Sequence, residues 1–341
     1  MEARNNSFRE IWKALKKSKN VLISLHPRPD GDSLGSATAM KYVLEKRGIK
    51  VRLVSKDRIS ENLEFYDFNK EVEYGVSLED VNLEEFDWIL FVDWGNLYDL
   101  SDEFLERLKT KKTINMDHHQ TNQFFGTLNY VNPLSPSACS IVYEFAEKIH
   151  FKFDREFSLR LMVGICTDTA FFIHGNSLDS LRKAEILLDR GKIDYNKELV
   201  IPITDLPWNL KKYHSILLSN MERKEINGQI IGYSWATKKE LKKLGLNPTD
   251  LRLGIMCMQN IKDLNLIFTL TEKDKEIGCS FRSRGLDTTI YSTIFGGGGH
   301  KQASAFSLKP MNMKKAIELV LKTIKEKGFV EIENNSDSTE N

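Results

Sequence analysis

Residues 113–120 read TINMDHHQ, and the rest of the chain is organised around them. A β-prone run, Thr113 to Met116, ends in Asp117, His118 and His119, so one carboxylate and two imidazoles stand at a predicted strand end. In an open α/β sheet, ligands bind outside such ends. Adjacent side chains on a strand point to opposite faces, so His118 and His119 divide the work: one can ligate a metal while the other reaches a substrate. A lone tripeptide of this kind is more often a solvated strand terminus. The surrounding motifs change that reading.

Working outward, strands and helices alternate. Residues 7–18 have the apolar spacing of an amphipathic helix (Phe8, Ile11, Trp12, Leu15). A strand at 21–25 runs into His26-Pro27-Arg28-Pro29-Asp30-Gly31-Asp32-Ser33. The prolines and Gly31 force an irregular turn there, and Asp32 or Ser33 is suited to cap the helix that closes at Gly48. Strand, turn and helix N-terminus together favour anions. A second strand is expected at 50–55. Residues 87–93, DWILFVD, are apolar at successive positions, as a central parallel strand covered on both faces requires, with Asp93 at its C-terminal end. Ser101 caps a crossover helix leading back to the 113–119 strand.

The expected fold is therefore α/β: an N-terminal domain with a mainly parallel sheet flanked by helices, a linker helix, and a smaller C-terminal α/β domain with a mixed sheet. Helices at 137–149, 155–166 and 178–189 complete the first domain, whose end is placed at Gly191. Residues 192–220 are assigned to a linker and connecting helix. The second domain, 221–332, opens on an Asn227-Gly228 hairpin. Further strands are expected at 252–258, 264–270, 276–282 and 304–308, a loop at Gly296-Gly297-Gly298-Gly299-His300, and a last helix at 313–327. The polar tail 333–341 has the composition of a disordered segment.

Composition narrows the partners. The 341 residues are 41% hydrophobic, with 49 basic against 48 acidic side chains and a net charge of +1. That balance argues against coating long nucleic acid by broad phosphate neutralisation, and a small anion held locally fits better. The four cysteines, Cys139, Cys166, Cys257 and Cys279, show no CxxC or zinc-finger spacing and read as buried thiols of a reducing compartment. With no signal-peptide pattern at the start and no run of roughly 18 apolar residues, the expected location is the cytoplasm, without a membrane partner.

His26, Asp30, Asp32, Asp93, His118 and Asp168 all fall at predicted strand ends or tight turns, or interrupt a buried-looking segment, of one domain. Four carboxylates converging without matching basic residues repel one another unless cations lie between them. Oxygen-rich ligation with some imidazole and no thiolate favours manganese, magnesium or ferrous iron over structural zinc. Six ligands suit two ions about 3.5–4 Å apart that share one carboxylate. His150, His174 and His214 lie outside these motifs and read as structural or surface residues.

The set HPRPDGDSLGS, VDWGN, MDHHQ and GICTDT, followed by FRSRG and GGGGHKQASAF, resembles the DHH phosphoesterase superfamily over nearly the whole chain. More narrowly it resembles the branch with a C-terminal DHH-associated domain, the bifunctional oligoribonuclease (nanoRNase) and 3'-phosphoadenosine 5'-phosphate phosphatase type. The resemblance implies that His26 and Asp30 bind one ion, Asp32, His118 and Asp168 the second, and Asp93 bridges both. His119 would face the scissile phosphate, Asp117 would orient the histidines from behind, and a hydroxide shared by the ions, manganese first with magnesium or iron as alternatives, would attack phosphorus. It also suggests a homodimer through the apolar helices.

In the second domain, Gly297, Gly298 and Gly299 let backbone N–H groups approach an anion, His300 adds a donor, and Arg282, with Arg284 beside it, can clamp a phosphate. The expected activity is hydrolysis of short single-stranded oligoribonucleotides to mononucleotides and removal of the 3' phosphate from 3'-phosphoadenosine 5'-phosphate, with duplex DNA excluded. The alternatives are a phosphodiesterase for cyclic di-AMP or linear diadenylate, and a catalytically silent nucleotide sensor. Two departures from the family pattern bear on substrate preference: His300-Lys301-Gln302-Ala303-Ser304-Ala305, where a further small residue and glycine are usual, and the aromatic run Ala170-Phe171-Phe172-Ile173 after Asp168.

Overall fold

The run WILFV is strand β4 (Trp88–Val92) of the computed structural model, which describes residues 5–173, 177–246, 250–259 and 261–332. Its side chains divide by parity: Ile89 and Phe91 join one apolar cluster, Leu90 and Val92 another. Both faces are thus covered, as a parallel strand requires. With β1 (Asn20–Ser24), β2 (Lys50–Ser55), β3 (Glu73–Tyr74), β5 (Thr113–Asp117) and β6 (Leu128–Val131), it forms a parallel sheet in the order β3-β2-β1-β4-β5-β6. The order reverses between β1 and β4, so the loops after these two strands diverge and leave a crevice at their carboxyl ends. Strands β3 and β6 escaped the sequence reading because two and four residues carry too little periodicity.

Helices cover this sheet: α1 (Phe8–Leu15), α2 (Gly31–Glu45), α3 (Asp102–Leu108), α4 (Ala138–Lys148), α5 (Arg155–Asp168) and α6 (Ser177–Gly191). The first ten residues of α2 are all buried, because small residues let it lie against α4 and α5. A Cβ on Gly35 would sit 2.4 Å from the Arg160 carbonyl oxygen, and one on Gly164 would sit 2.2 Å from Cys139 Sγ and 2.6 Å from Asp32 Oδ1.

The chain divides into two compact units, 1–206 and 207–341. Residues 192–206 pack within the first unit. Their π-helix (Asn196–Val200) and α7 (Ile201–Thr204) bury Leu199 and Ile203. Tyr66 donates its hydroxyl to the Glu198 carbonyl and Asn62 its amide to the Ile203 carbonyl, each at 2.8 Å. Helix α8 (Trp208–Ser219) begins the second unit.

The second unit holds β7 (Glu222–Ile226), β8 (Gln229–Ala236), α9 (Lys238–Leu241), β9 (Leu266–Glu272), β10 (Ile277–Ser283), α10 (Thr289–Ser292), β11 (Gly298–His300), β12 (Ala303–Leu308) and α11 (Met313–Lys327). Its sheet runs β11-β12-β10-β9-β8-β7 and is mixed, with β8 and β9 parallel and the other pairs antiparallel. The strand expected at 252–258 is instead a 3-10 helix (Asp250–Met258). Strand β9 already has a neighbour on each side, so this segment lies over the sheet face, where Ile255 and Met258 cover Ile267. The loop expected at 296–300 ends as edge strand β11. Among the described residues no helix is long and apolar enough to cross a membrane. His174 and the tail 333–341 lie outside the described residues.

Candidate metal centre

The crevice at the switch point collects the sequence-predicted residues one loop at a time. His26 and Asp30 follow β1, Asp93 follows β4, His118 and His119 follow β5, and Asp32 and Asp168 come from the start of α2 and the end of α5. Asp30, not Asp32 or Ser33, caps α2, accepting the Ser33 N–H at 3.1 Å. Asp32 is therefore free to turn inward, where its two oxygens accept the N–H groups of Ala138 (2.6 Å) and Cys139 (2.9 Å) at the start of α4. Asp93 takes a left-handed backbone conformation, φ 65°, rare for a residue with a side chain and typical of strain held at functional sites.

Two donor sets result. In one, His26 Nε2 lies 3.7 Å from Asp30 Oδ1 and 3.4 Å from Asp93 Oδ2. In the other, His118 Nε2 lies 3.6 Å from Asp32 Oδ2, 3.6 Å from Asp168 Oδ2 and 3.4 Å from Asp93 Oδ1. Asp93 thus presents one oxygen to each set. Each set's ligand atoms, His26–Asp30–Asp93 and Asp32–His118–Asp168, lie within 4.8 Å of one another.

Two of the imidazoles, His26 and His118, are oriented from behind by carbonyls the sequence reading did not name. His26 Nδ1 lies 2.9 Å from the Pro27 carbonyl and His118 Nδ1 lies 3.3 Å from the Ser135 carbonyl. A carbonyl only accepts, so each Nδ1 carries the hydrogen and each Nε2 faces the carboxylates. His119 Nδ1 donates to Asp117 Oδ1 at 2.8 Å, while Asn122 donates to Asp117 Oδ2 at 2.6 Å. Asp117 therefore orients His119, and Ser135 takes the corresponding place behind His118. Gly164 was missed as well, although an isolated glycine inside a helical pattern is itself a signal of close packing.

Electrostatics shows what the cluster needs. Burial alone would drive the His26 pKa down, but Asp30 and Asp93 outweigh it and lift it to about 10. Burial pushes Asp168 up to about 6, with Asp93 and Asp30 adding to it against the opposing pull of His118. Burial and the charges of Asp93 and Asp168 likewise hold Asp32 well above the usual carboxylate range. Asp117 goes the other way: burial would raise it, but the charge and hydrogen bond of His119, with His118 and Asn122, hold it far below. Protons shared among these groups carry the positive charge that divalent cations would otherwise bring.

The donors fit such cations. Asp93 Oδ1 is buried with no hydrogen-bond partner, a costly state for an oxygen whose role is purely structural. Among the described residues, the basic groups within 4.0 Å of Asp32, Asp93 and Asp168 are imidazoles. The nearby Cys139 thiol is pushed well above its normal pKa by burial and by Asp32, and so offers no thiolate. The aromatic departure after Asp168 is a packing feature: Phe171 and Phe172 pack on the core, their ring centres 6.4 and 6.3 Å from that of Tyr195.

In the second unit, Arg282 on β10 and His300 on β11 both stand opposite Ala303 of β12. Directly opposed residues share a sheet face, so the two side chains flank a small alanine, roughly 10 Å apart across two strand spacings. The glycines serve this packing first: a Cβ on Gly297 would meet the Ala305 carbonyl oxygen at 2.1 Å, and one on Gly299 the Ala303 carbonyl oxygen at 2.4 Å.

The parallel sheet with an acid and imidazole cluster at its switch point is that of a metal-dependent phosphoester hydrolase, and residues 20–165 match the DHH family, N-terminal domain. The chain is 23% identical over 309 residues to the bifunctional oligoribonuclease and PAP phosphatase NrnA of Mycoplasma genitalium, covering 88% of this chain and 92% of the relative. The Bacillus subtilis protein of the same description is 21% identical over 304 residues, with 88% and 92% covered. Among solved structures, an exopolyphosphatase-related protein from Bacteroides fragilis shares the fold with a TM-score of 0.80 at 20% identity, over 94% of this chain and 96% of that one.

Proposed function

We propose that this protein hydrolyses short oligoribonucleotides to mononucleotides and removes the 3' phosphate from 3'-phosphoadenosine 5'-phosphate, using two divalent ions, manganese first among them. The observation that carries this reading is the split of the Asp93 carboxylate between two donor sets, one oxygen 3.4 Å from His26 Nε2 and the other 3.4 Å from His118 Nε2. The similarity to relatives named as oligoribonucleases and PAP phosphatases over most of the chain supports the substrate class.

In this reading His26, Asp30 and Asp93 hold one ion and Asp32, His118, Asp168 and Asp93 the other. When bound, the pair supplies an activated water and neutralises charge on the phosphoryl oxygens. The carbonyls of Pro27 and Ser135 keep His26 and His118 in the tautomer that ligates through Nε2. Asp117 accepts the Nδ1 hydrogen of His119 and, against burial, raises its pKa, so a ring protonated at both nitrogens can donate its Nε2–H to a phosphoryl oxygen as negative charge builds there. Arg282 and His300 provide donors for a further anionic group of the substrate, and residues 221–332 act as the substrate-binding domain.

The test is release of nucleotide and phosphate from a diribonucleotide, 3'-phosphoadenosine 5'-phosphate and cyclic di-AMP in parallel, with manganese or with chelator. Manganese-dependent cleavage of the first two with cyclic di-AMP spared is the expected result. Preference for cyclic di-AMP would replace the substrate class, and inertness toward all three would leave a nucleotide sensor.

A further inference from the structure

Tyr98 stands five positions after Asp93, and its side chain is 62% exposed. An exposed tyrosine is ordinarily a mobile one, but this one is held at both ends. Its backbone N–H donates to Asn96 Oδ1 at 3.0 Å, and the side-chain amide of Gln123 donates to its hydroxyl.

Gln123 belongs to the loop that carries His118 and His119, and the two loops are sewn together. The Gln123 backbone N–H donates to the Gly95 carbonyl at 3.3 Å, and Asn122 donates to the Trp94 carbonyl at 3.0 Å. A Cβ on Gly95 would lie 3.2 Å from His119 Cβ, so a glycine there lets the loops lie this close without a shift of His119. On its other side, Asp99 lies 3.7 Å from the Arg28 guanidinium, on the loop carrying His26 and Asp30. The Tyr98–Asp99 tip is thus tied to both loops that bring histidines to the centre.

Fixing a large ring in water costs side-chain entropy and removes little apolar surface from solvent. Folding gains only an exposed hydrogen bond from it; a ligand would gain a placed ring. Gln123 donates to the hydroxyl oxygen and so anchors the ring in place; the largest surface the residue then offers is the face of its ring, and the partner of an aromatic face beside a phosphoester centre is a planar base.

We propose that Tyr98 is the stacking platform for the nucleobase of the nucleoside next to the scissile phosphate. This rests on the nucleotide-hydrolase reading and adds a specificity element to it. Because every base has a π-face, stacking demands a base without choosing among the four.

Tyr98→Ala and Tyr98→Phe are compared with the parent protein on a diribonucleotide and on the same dimer made abasic at either position. Equilibrium binding of the unreacted dimer to the metal-free protein is measured alongside turnover. The expected result is a KM and a dissociation constant raised roughly tenfold by Tyr98→Ala, with kcat falling far less. Tyr98→Phe, which keeps the ring and loses the tether, recovers most of the binding. On the dimer lacking the stacked base, parent and Tyr98→Ala behave alike.

Cleavage of the dimer with no Tyr98 effect overturns this inference and leaves the function standing. Binding that depends on Tyr98 without any cleavage does the reverse. A Tyr98→Ala loss of equal size on both abasic dimers also overturns it, because the ring would then be contacting sugar or phosphate.

Discussion

His119 gives its Nδ1 hydrogen to Asp117, two residues earlier on the same strand end, over 2.8 Å, and Asn122 pins the other carboxylate oxygen. This brace sets which ring nitrogen faces the substrate. Asp117→Asn removes the charge that, against burial, favours a ring protonated at both nitrogens, and with it the Nε2–H held toward the substrate. We expect kcat to fall roughly ten- to a hundredfold, the range for lost orienting partners, while manganese affinity measured by calorimetry changes much less. Equal losses in both would mean that Asp117 serves the ions and not His119.

Asp93 touches both donor sets, so its removal acts on both ions. Asp93→Ala should abolish turnover and weaken both manganese binding steps in a titration. The left-handed backbone at this position persists in the variant, so stability gains little from losing the carboxylate. Near-normal activity in Asp93→Ala would sink the two-ion reading. By contrast His300→Ala, in the second unit, should mainly raise KM.

The metal-free cluster is stabilised by protons, which fixes the sign of its pH dependence. His26 has a folded pKa of about 10 against an ordinary 6.5. Its contribution is fully present below 6.5 and is lost as pH rises through 10. Asp168, raised from 3.8 to about 6, also makes the native state the better proton binder in its window. Stability of the metal-free protein should therefore decline as pH rises from 7 to 10, by several degrees in Tm, and saturating manganese should flatten the decline. Manganese binding near pH 7.5 should release protons, read by calorimetry in buffers of different ionisation enthalpy. Proton uptake would contradict the assignment.

Gly164→Ala places a methyl group 2.6 Å from Asp32 Oδ1 and 2.2 Å from Cys139 Sγ. Alanine is the better helix former by about 1 kcal/mol, so propensity alone predicts stabilisation. Overpacking should win, with a net loss of about 1–3 kcal/mol in urea unfolding and weaker manganese binding as Asp32 is displaced. A stabilised variant with unchanged metal affinity would show that α2 and α5 have room to separate.

Local chemistry made much of this protein legible from its residues. The parity of WILFV, apolar at every position, already requires a strand covered on both faces, and strand β2 and helix α11 fall where periodicity puts them. The motifs that end strands carry the acids and imidazoles, because a side chain at a carboxyl end is placed by its own strand. The 252–258 segment misled because its apolar residues suit a strand or a turn of helix equally, and the choice was made by neighbours that filled the sheet first.

What the sequence pointed to by itself was the class of chemistry and a set of residues equipped for it: His26, Asp30, Asp32, Asp93, His118 and Asp168, with Asp117 behind His119. What only the tertiary structure decided was their grouping. Which oxygen of Asp93 faces which histidine, that Asp30 caps α2 and so releases Asp32, and that the Pro27 and Ser135 carbonyls choose the tautomers are all relations between segments distant in the chain or facing across a turn. Periodicity and residue type carry no information about distances across such gaps. Those are set by the strand order around the switch point, which brings Asp93 to two imidazoles, and by glycines that let α2, α4 and α5 come close enough for Asp32 and Asp168 to meet His118.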